Sequence, residues 1–426
     1  MDAHAAELRI DIDRLLRRLD ELASIGAIEG TEGCCRLALT DEDRLGRDLV
    51  VRWMEELGLT ISIDRIGNVV GVLDGRVGGA PVMCGSHIDT VALGGRYDGN
   101  LGVLAGLEVI ESVLAAGIVP DRPLAVAFFT DEEGARFAPD MLGSLVYVGG
   151  MPLEEALDIE AIDGAVLGAE LGRIGYAGST PVPGLVPAAF VELHIEQGPV
   201  LEAADTTIGV VTGVQGISWQ EITITGQSNH AGTTPMDHRR DPGYVAACCL
   251  THARDLAHEL GPPQVATVGR LALHPNLVNV VAAEAQFTID LRNTDEAFLA
   301  EAERRFSAYV TKVARTERCK VKTKTLARFK PVAFDETMIS LVESTARRLG
   351  HTVRRMPSGA GHDAQMMARI CPTSMIFVPS QEGVSHNPAE HTAPLDLEAG
   401  TNVLLQTMLA LALDKTTAVE GDNDDA

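Results

Sequence analysis

Residues 81–89 read PVMCGSHID, a short apolar run that ends in a histidine and an aspartate. An unbroken apolar run of this length, with polar groups only at its end, reads as a strand buried on both faces. Two more runs have the same form: 123–130, PLAVAFFT, and 189–196, AFVELHIE. Helical patterns at 41–58 and 101–117 flank and separate the first two. Buried strands alternating with helices indicate an α/β domain with a mostly parallel core. Later in the chain, 335–350 reads as a helix, 373–379 as another buried strand and 395–413 as a closing helix.

Between these two stretches the texture changes. From about residue 213, GISWQEITITGQ alternates as a half-exposed strand does. Asp241-Pro242 opens a helix, with Asp as N-cap and Pro in the first turn. Residues 266–273 and 279–292 read as strands and 295–318 as a second helix, and near Phe329-Lys330-Pro331 the chain leaves this region. The expected organisation is one α/β domain, residues 1–212 and 329–426, interrupted by a small α+β domain at 213–328. The acidic tail after Lys415 reads as disordered.

The formal net charge is −25 and no basic stripe is present, which points away from nucleic acid. The N-terminal MDAHAAELRIDIDRL lacks a basic segment followed by an apolar core, so no signal peptide is expected. The most apolar long stretch, Leu101 to Val119, carries Glu108 and Glu111 at helical spacing, which suits a packed helix rather than a membrane span. Seven cysteines without a C-x-x-C pair do not form a disulfide framework, and the cytoplasm is the expected compartment.

Five segments concentrate His, Asp and Glu next to strand ends, where open α/β sheets place ligands: 85–90 (GSHIDT), 94–99 (GGRYDG), 130–134 (TDEEG), 192–198 (ELHIEQG) and 385–388 (SHNP). Each has an ordinary reading alone. His87 and His194 could be hydrogen-bonded core histidines, Glu132-Glu133 a solvated helix start, Asp98 a turn residue and His386 a loop residue. Recurrence at five elements of one domain favours a metal site, and a His/carboxylate set without cysteine suits zinc, manganese or cobalt in a catalytic role. Asp89, two residues beyond His87, is placed to hold its imidazole from behind.

The chain resembles the M20-type metallo-amidohydrolases, in their hydantoinase/carbamoylase branch. That branch includes N-carbamoyl-L-amino acid hydrolases, β-ureidopropionases and allantoate amidohydrolases. The matching segments, in order, are GSHIDTVALGGRYDGNLGVLAGLEV, FTDEEGARF, ELHIEQGPVLE, GQSNHAGTTPM, AQFTIDLRN, SGAGHDAQ and IFVPSQEGVSHNPAE. The resemblance implies two metal ions held by His87, Asp98, Glu133, His194 and His386, with Asp98 bridging. It implies that Glu132 is the general base and that His230 reaches a partner subunit's active site. Gln197, Asn279 and Arg292, with the backbone at Gly359, Ala360 and Gly361, would bind the substrate carboxylate. The 213–328 segment would be a lid and dimerisation domain, and the protein a homodimer. His362-Asp363 would fix loop geometry; His238 and His391 acquire no role. Ala282 stands where the family commonly has proline, which touches no catalytic role.

The expected activity is hydrolysis of an N-carbamoyl-L-α-amino acid to amino acid, ammonia and carbon dioxide, with zinc, manganese, cobalt or nickel as the metal. Allantoate, N-carbamoyl-β-alanine and other N-acyl amino acids are the alternative substrates. A non-catalytic scaffold on the same fold is the alternative of another class, and the filled set of metal and base positions argues against it.

Overall fold

A computed structural model describes residues 3–413 of the chain, so the acidic tail lies outside the described residues. The chain divides into two compact units, Met1–Thr212 with Phe334–Ala426, and Gly213–Ala333.

The first unit is built on a mixed sheet. Its strands are β1 (Thr60–Ile63), β2 (Val69–Leu73), β3 (Val82–His87), β4 (Leu124–Phe129), β5 (Ala189–Ile195) and β6 (Ile208–Val214), joined by Val353–Ser358 and Thr373–Val378. The order is β1, β2, β4, β3, β5, Thr373–Val378, β6, and Val353–Ser358 pairs with β6. At the centre β4, β3, β5 and Thr373–Val378 run parallel, and every residue of these four strands is buried. This is why their sequences are unbroken apolar runs and do not alternate. Antiparallel strands flank this centre, β2 against β4 and β6 against Thr373–Val378.

Helix Asn100–Ala115 lies on β3, β4 and β5, and helix Pro394–Ala412 on β5 and Thr373–Val378. Gly102 and Gly106 let the first helix approach closely. A Cβ at Gly102 would stand 2.7 Å from the Leu193 carbonyl oxygen, and one at Gly106 2.6 Å from Cys84 Sγ. Inside the same helix Glu108 is buried and answered by Arg14, whose Nη2 lies 2.6 Å from Oε1. Helix Asp41–Glu56 starts at Thr40, whose hydroxyl caps Asp43 N–H, and stops at Gly58, where φ is +71°.

The second unit is an antiparallel sheet in the order Leu271–His274, Glu284–Asn293, Gly216–Thr225, Lys320–Phe329. Helices Pro242–Leu260 and Glu296–Thr316 share a core with one face of this sheet. Val245, Cys249, Leu299 and Phe306 pack with Ile222, Ile224, Phe287 and Ile289. Burial alternates residue by residue along Glu284–Asn293, as one-face packing requires. Two expected strands are each broken in two. Val265–Thr267 and Leu271–His274 are separated around Gly269, and Val280–Val281 and Glu284–Asn293 around Ala282-Ala283. Val280–Val281 pairs away from the main sheet, with Asn229–His230. No helix among the described residues is long and apolar enough to cross a membrane.

Candidate metal centre

β3 ends on His87, β4 runs directly into Asp131-Glu132-Glu133, and β5 carries His194 near its end. Because these strands are parallel neighbours, their carboxyl ends deliver the three groups to one edge of the sheet. Asp98 arrives from the loop before helix Asn100–Ala115, and His386 from the loop after Thr373–Val378.

Asp98 stands between two donor sets. Its Oδ1 lies 3.6 Å from His87 Nε2 and 3.2 Å from His194 Nε2. Its Oδ2 lies 3.5 Å from His386 Nε2, which is itself 3.2 Å from Glu133 Oε2. Within each set, His87–Asp98–His194 and Asp98–Glu133–His386, the ligand atoms lie within 4.8 Å of one another. Glu132 Oε2 is 3.3 Å from His87 Nε2, beside the first set.

The histidine tautomers suit ligation. His87 Nδ1 is held by the Asp89 carbonyl oxygen at 2.9 Å, and His194 Nδ1 by the Ile195 carbonyl at 2.9 Å. Each carbonyl accepts the Nδ1–H, which leaves Nε2 of each ring as the ligating atom on the side of Asp98, and His194 Nε2 also accepts the Gly99 N–H at 3.1 Å. Asp89 thus holds the His87 ring through its backbone. Its carboxylate lies 4.0 Å from that ring and accepts instead from the Glu132 and Glu133 N–H groups, both at 3.3 Å.

The charges also fit a cation. Burial pushes the Glu132 carboxyl well above the usual carboxylate range, and His87 only partly opposes this. The His87 imidazole is raised well above its ordinary value: burial lowers it, but Glu132, Asp98 and Asp89 outweigh burial. Buried carboxylates that raise the imidazoles beside them are short of positive charge, which divalent ions would supply. His/carboxylate donors without sulfur, with two sets sharing one bridging carboxylate, fit a pair of such ions.

Asp98 is held firmly. Gln197 Nε2 donates to its Oδ2 at 2.8 Å and Ser385 Oγ at 2.9 Å. The buried Glu390 accepts the Tyr97 and Asp98 N–H groups at 3.0 and 3.1 Å. Ser385 and Glu390 were not singled out from the sequence, although both lie in IFVPSQEGVSHNPAE. The signal was weak, since only burial distinguishes Glu390 from a surface glutamate. The same holds for Glu192, which accepts from Ser86 Oγ at 2.6 Å and from Ala364 N–H at 2.7 Å beneath the site.

The remaining candidates divide between the units. Gln197 is in the first, with its Oε1 buried and without a hydrogen-bond partner. Gly359, Ala360 and Gly361 follow Val353–Ser358. Ser358 Oγ accepts the Ala360 N–H at 3.1 Å and meets His362 Nε2 at 2.9 Å. The His362 ring stands edge-on to His194 with centroids 4.5 Å apart, so this loop is tied to the metal-facing strand. His230, Asn279 and Arg292 belong to the second unit. His230 is exposed and its Nδ1 accepts from Gly232 and Thr233 N–H at 3.1 and 3.2 Å, which places the proton of the neutral ring on Nε2. The Asn279 carbonyl, on the neighbouring segment before Val280–Val281, accepts Ala231 N–H at 2.9 Å. The Arg292 fork lies on the Asp290 carboxylate, with Nη2 at 3.0 Å, and over the Trp219 ring. Asp290 thus already occupies the fork that a substrate carboxylate would need.

The model of peptidase family M20/M25/M40 matches residues 83–410. The chain is 40% identical to an N-carbamoyl-L-amino-acid amidohydrolase of Rhizobium meliloti, over 97% of this chain and 99% of that one. It is 35% identical to a ureidoglycolate hydrolase of Arabidopsis thaliana, over 96% of this chain and 88% of the relative. A solved amidase of the hydantoinase/carbamoylase family from Burkholderia multivorans superposes with a TM-score of 0.92 at 46% identity, covering 96% of this chain and 99% of that one.

Proposed function

Because the chain belongs to peptidase family M20/M25/M40, in its hydantoinase/carbamoylase amidase branch, and is an amidohydrolase, we propose that it hydrolyses the ureido group of an N-carbamoyl-L-α-amino acid. The observation that carries this reading is the Asp98 carboxylate, with one oxygen facing His87 and His194 and the other facing His386 and, beyond it, Glu133. The M20 family depends on two metal ions. Two divalent ions held by these groups, zinc, manganese, cobalt or nickel, would lower the pKa of a water and polarise the scissile carbonyl.

The chain's own residues then have distinct tasks. Asp98, Glu133, His87, His194 and His386 would hold the ions, and Gln197, Ser385 and Glu390 keep Asp98 in place. Glu132 takes the proton of the attacking water and returns it to the leaving nitrogen. The C–N bond breaks, the amino acid leaves, and the carbamic acid left behind falls apart to ammonia and carbon dioxide. His230, donating through Nε2, steadies the developing oxyanion. Gln197, Asn279, Arg292 and the Gly359–Gly361 backbone anchor the substrate carboxylate, with Arg292 exchanging Asp290 for it. A second reading, hydrolysis of ureidoglycolate, is supported by the plant relative of that activity and needs the same anchors, because that substrate also joins a ureido group to a carboxylate.

The test is ammonia release by the purified chain, stripped and reloaded with each of the four metals, with amino-acid release followed in parallel for the acetylated substrates. The panel holds N-carbamoyl-L-α-amino acids, N-carbamoyl-β-alanine, allantoate, ureidoglycolate and N-acetyl amino acids. Metal-dependent turnover is expected to be fastest on an N-carbamoyl-L-α-amino acid. Faster turnover of ureidoglycolate or allantoate would replace the substrate and keep the site. Turnover of acetylated substrates alone would overturn the ureido reading.

A further inference from the structure

Arg36 is fully buried, yet the four hydrogen bonds of its guanidinium all go to neutral oxygens. Nε donates at 2.7 Å to the carbonyl of Ile88, the residue between His87 and Asp89. Nη2 donates to Asn100 Oδ1 at 2.8 Å, two residues after Asp98. Nη1 reaches the Leu22 and Ile25 carbonyls, at 3.1 and 2.9 Å, at the end of helix Ile12–Ala23. A buried cation without a carboxylate partner among the described residues is costly, so its presence calls for a reason.

The backbone around Arg36 grips the same segment. Arg36 N–H donates to Thr90 Oγ1 at 2.8 Å, and Thr90 N–H returns to the Arg36 carbonyl at 3.0 Å. Cys34 and Gly94 exchange both of their backbone hydrogen bonds at 3.1 Å. Residues 34–36 therefore clamp the segment 88–100 at Ile88, Thr90, Gly94 and Asn100. His87 stands just outside one end of it and Asp98 just inside the other. Room for the guanidinium comes from Gly46, where a Cβ would stand 2.8 Å from Arg36 Cδ and 3.2 Å from its Nε.

We infer that Arg36 is a positioning residue for the metal centre, setting the spacing between His87 and Asp98 and hence the affinity of the His87–Asp98–His194 set for its ion. A planar fork reaches the Ile88 carbonyl, the carbonyls at the end of helix Ile12–Ala23 and the Asn100 side chain at once, and a lysine ammonium does not. The His87–Asp98–His194 set has two ligands at the clamped segment, whereas the Asp98–Glu133–His386 set has only Asp98 within it, so the effect falls more heavily on the first ion. This inference rests on the two-metal reading above.

The experiment is cobalt(II) titration of the stripped full-length chain, followed by calorimetry and by the visible absorption of the bound ion. It compares the wild type with Arg36→Lys, Gly46→Ala and a control, Arg14→Lys, whose side chain bonds Glu108 and Ser112 and not the clamped segment. The wild type is expected to take up two ions. In Arg36→Lys and Gly46→Ala one ion should bind at least about tenfold more weakly, the scale on which supports behind metal ligands act, and the other, which shares only Asp98 with the clamped segment, should lose clearly less. The control should keep both affinities. Gly46→Ala retains the arginine and decides the matter should Arg36→Lys fail to fold. A lowered melting temperature with both affinities intact would reduce Arg36 to a structural role and overturn the inference, as would equal weakening of both ions. A wild type that takes up no pair of ions overturns the two-metal reading itself, and this inference with it.

Discussion

At the scale of single residues the site is held in conformations that side chains seldom adopt. Asp131, Gln197 and His386 have φ of 56°, 57° and 51°, each costing about 1–3 kcal/mol, and such strain clusters at functional sites. Gly99 has φ +67°, and a Cβ there would stand 2.4 Å from the His87 ring. Gly99→Ala should therefore strain the backbone and push His87 from Asp98, and elemental analysis should find less metal than in the wild type. Glu132→Gln should do the reverse, because Glu132 is proposed as a base and not as a ligand. Metal content should hold while kcat falls by about 10²- to 10⁴-fold. Near-normal turnover by Glu132→Gln at full metal content would remove Glu132 from that role.

At the scale of elements, the central strands were legible because burial on both faces leaves a period-free apolar signature, as in LAVAFF and AFVELHI. His87, Asp98, Glu132, Glu133, His194 and His386 each have an ordinary reading alone; they stand out because such groups recur in five segments that also carry the family resemblance, and the structure brings them together. Other features carried no local signal. Lys320–Phe329, an exposed edge strand of alternating lysine, valine and threonine, resembles a loop until its pairing with Gly216–Thr225 is seen. Glu390 and Arg36 act on residues far away in sequence; periodicity marks neither, and Glu390 is marked only as the last residue of the segment IFVPSQEGVSHNPAE. The glycines of helix Asn100–Ala115 belong to the same class: four residues apart on one face, they read as weak helix formers and in fact permit contact with β3 and β5. Gly106→Ala forces a methyl against Cys84 and Val126 and should lower stability by about 1–3 kcal/mol. A denaturant melt should show a lower midpoint at unchanged slope, with metal content preserved. An unshifted midpoint would mean that the helix can move away from the sheet without loss.

At the scale of the whole molecule the proposed chemistry draws on both units, since the metal set lies in the first and His230, Asn279 and Arg292 in the second. The second unit has its own core and its own sheet, so it can serve as a rigid carrier for His230. We propose that the protein is a homodimer in which His230 acts in the active site of the other subunit. His230 is exposed and its Nδ1 is engaged by its own turn, which leaves Nε2–H as the donor it can offer. The arrangement makes a prediction that no single variant can mimic. Glu132→Gln and His230→Ala should each abolish nearly all turnover alone. When the two are co-assembled, each mixed dimer contains one subunit site lacking both groups and one site with both intact. An equal mixture assembles half of its dimers as mixed pairs, so about a quarter of wild-type activity should return. If His230 served its own subunit, both sites of a mixed dimer would be defective and nothing would return. Sedimentation of the wild type supplies the companion measurement, because a monomeric mass at assay concentration would overturn the assignment of His230 to a partner whatever the mixing experiment gave.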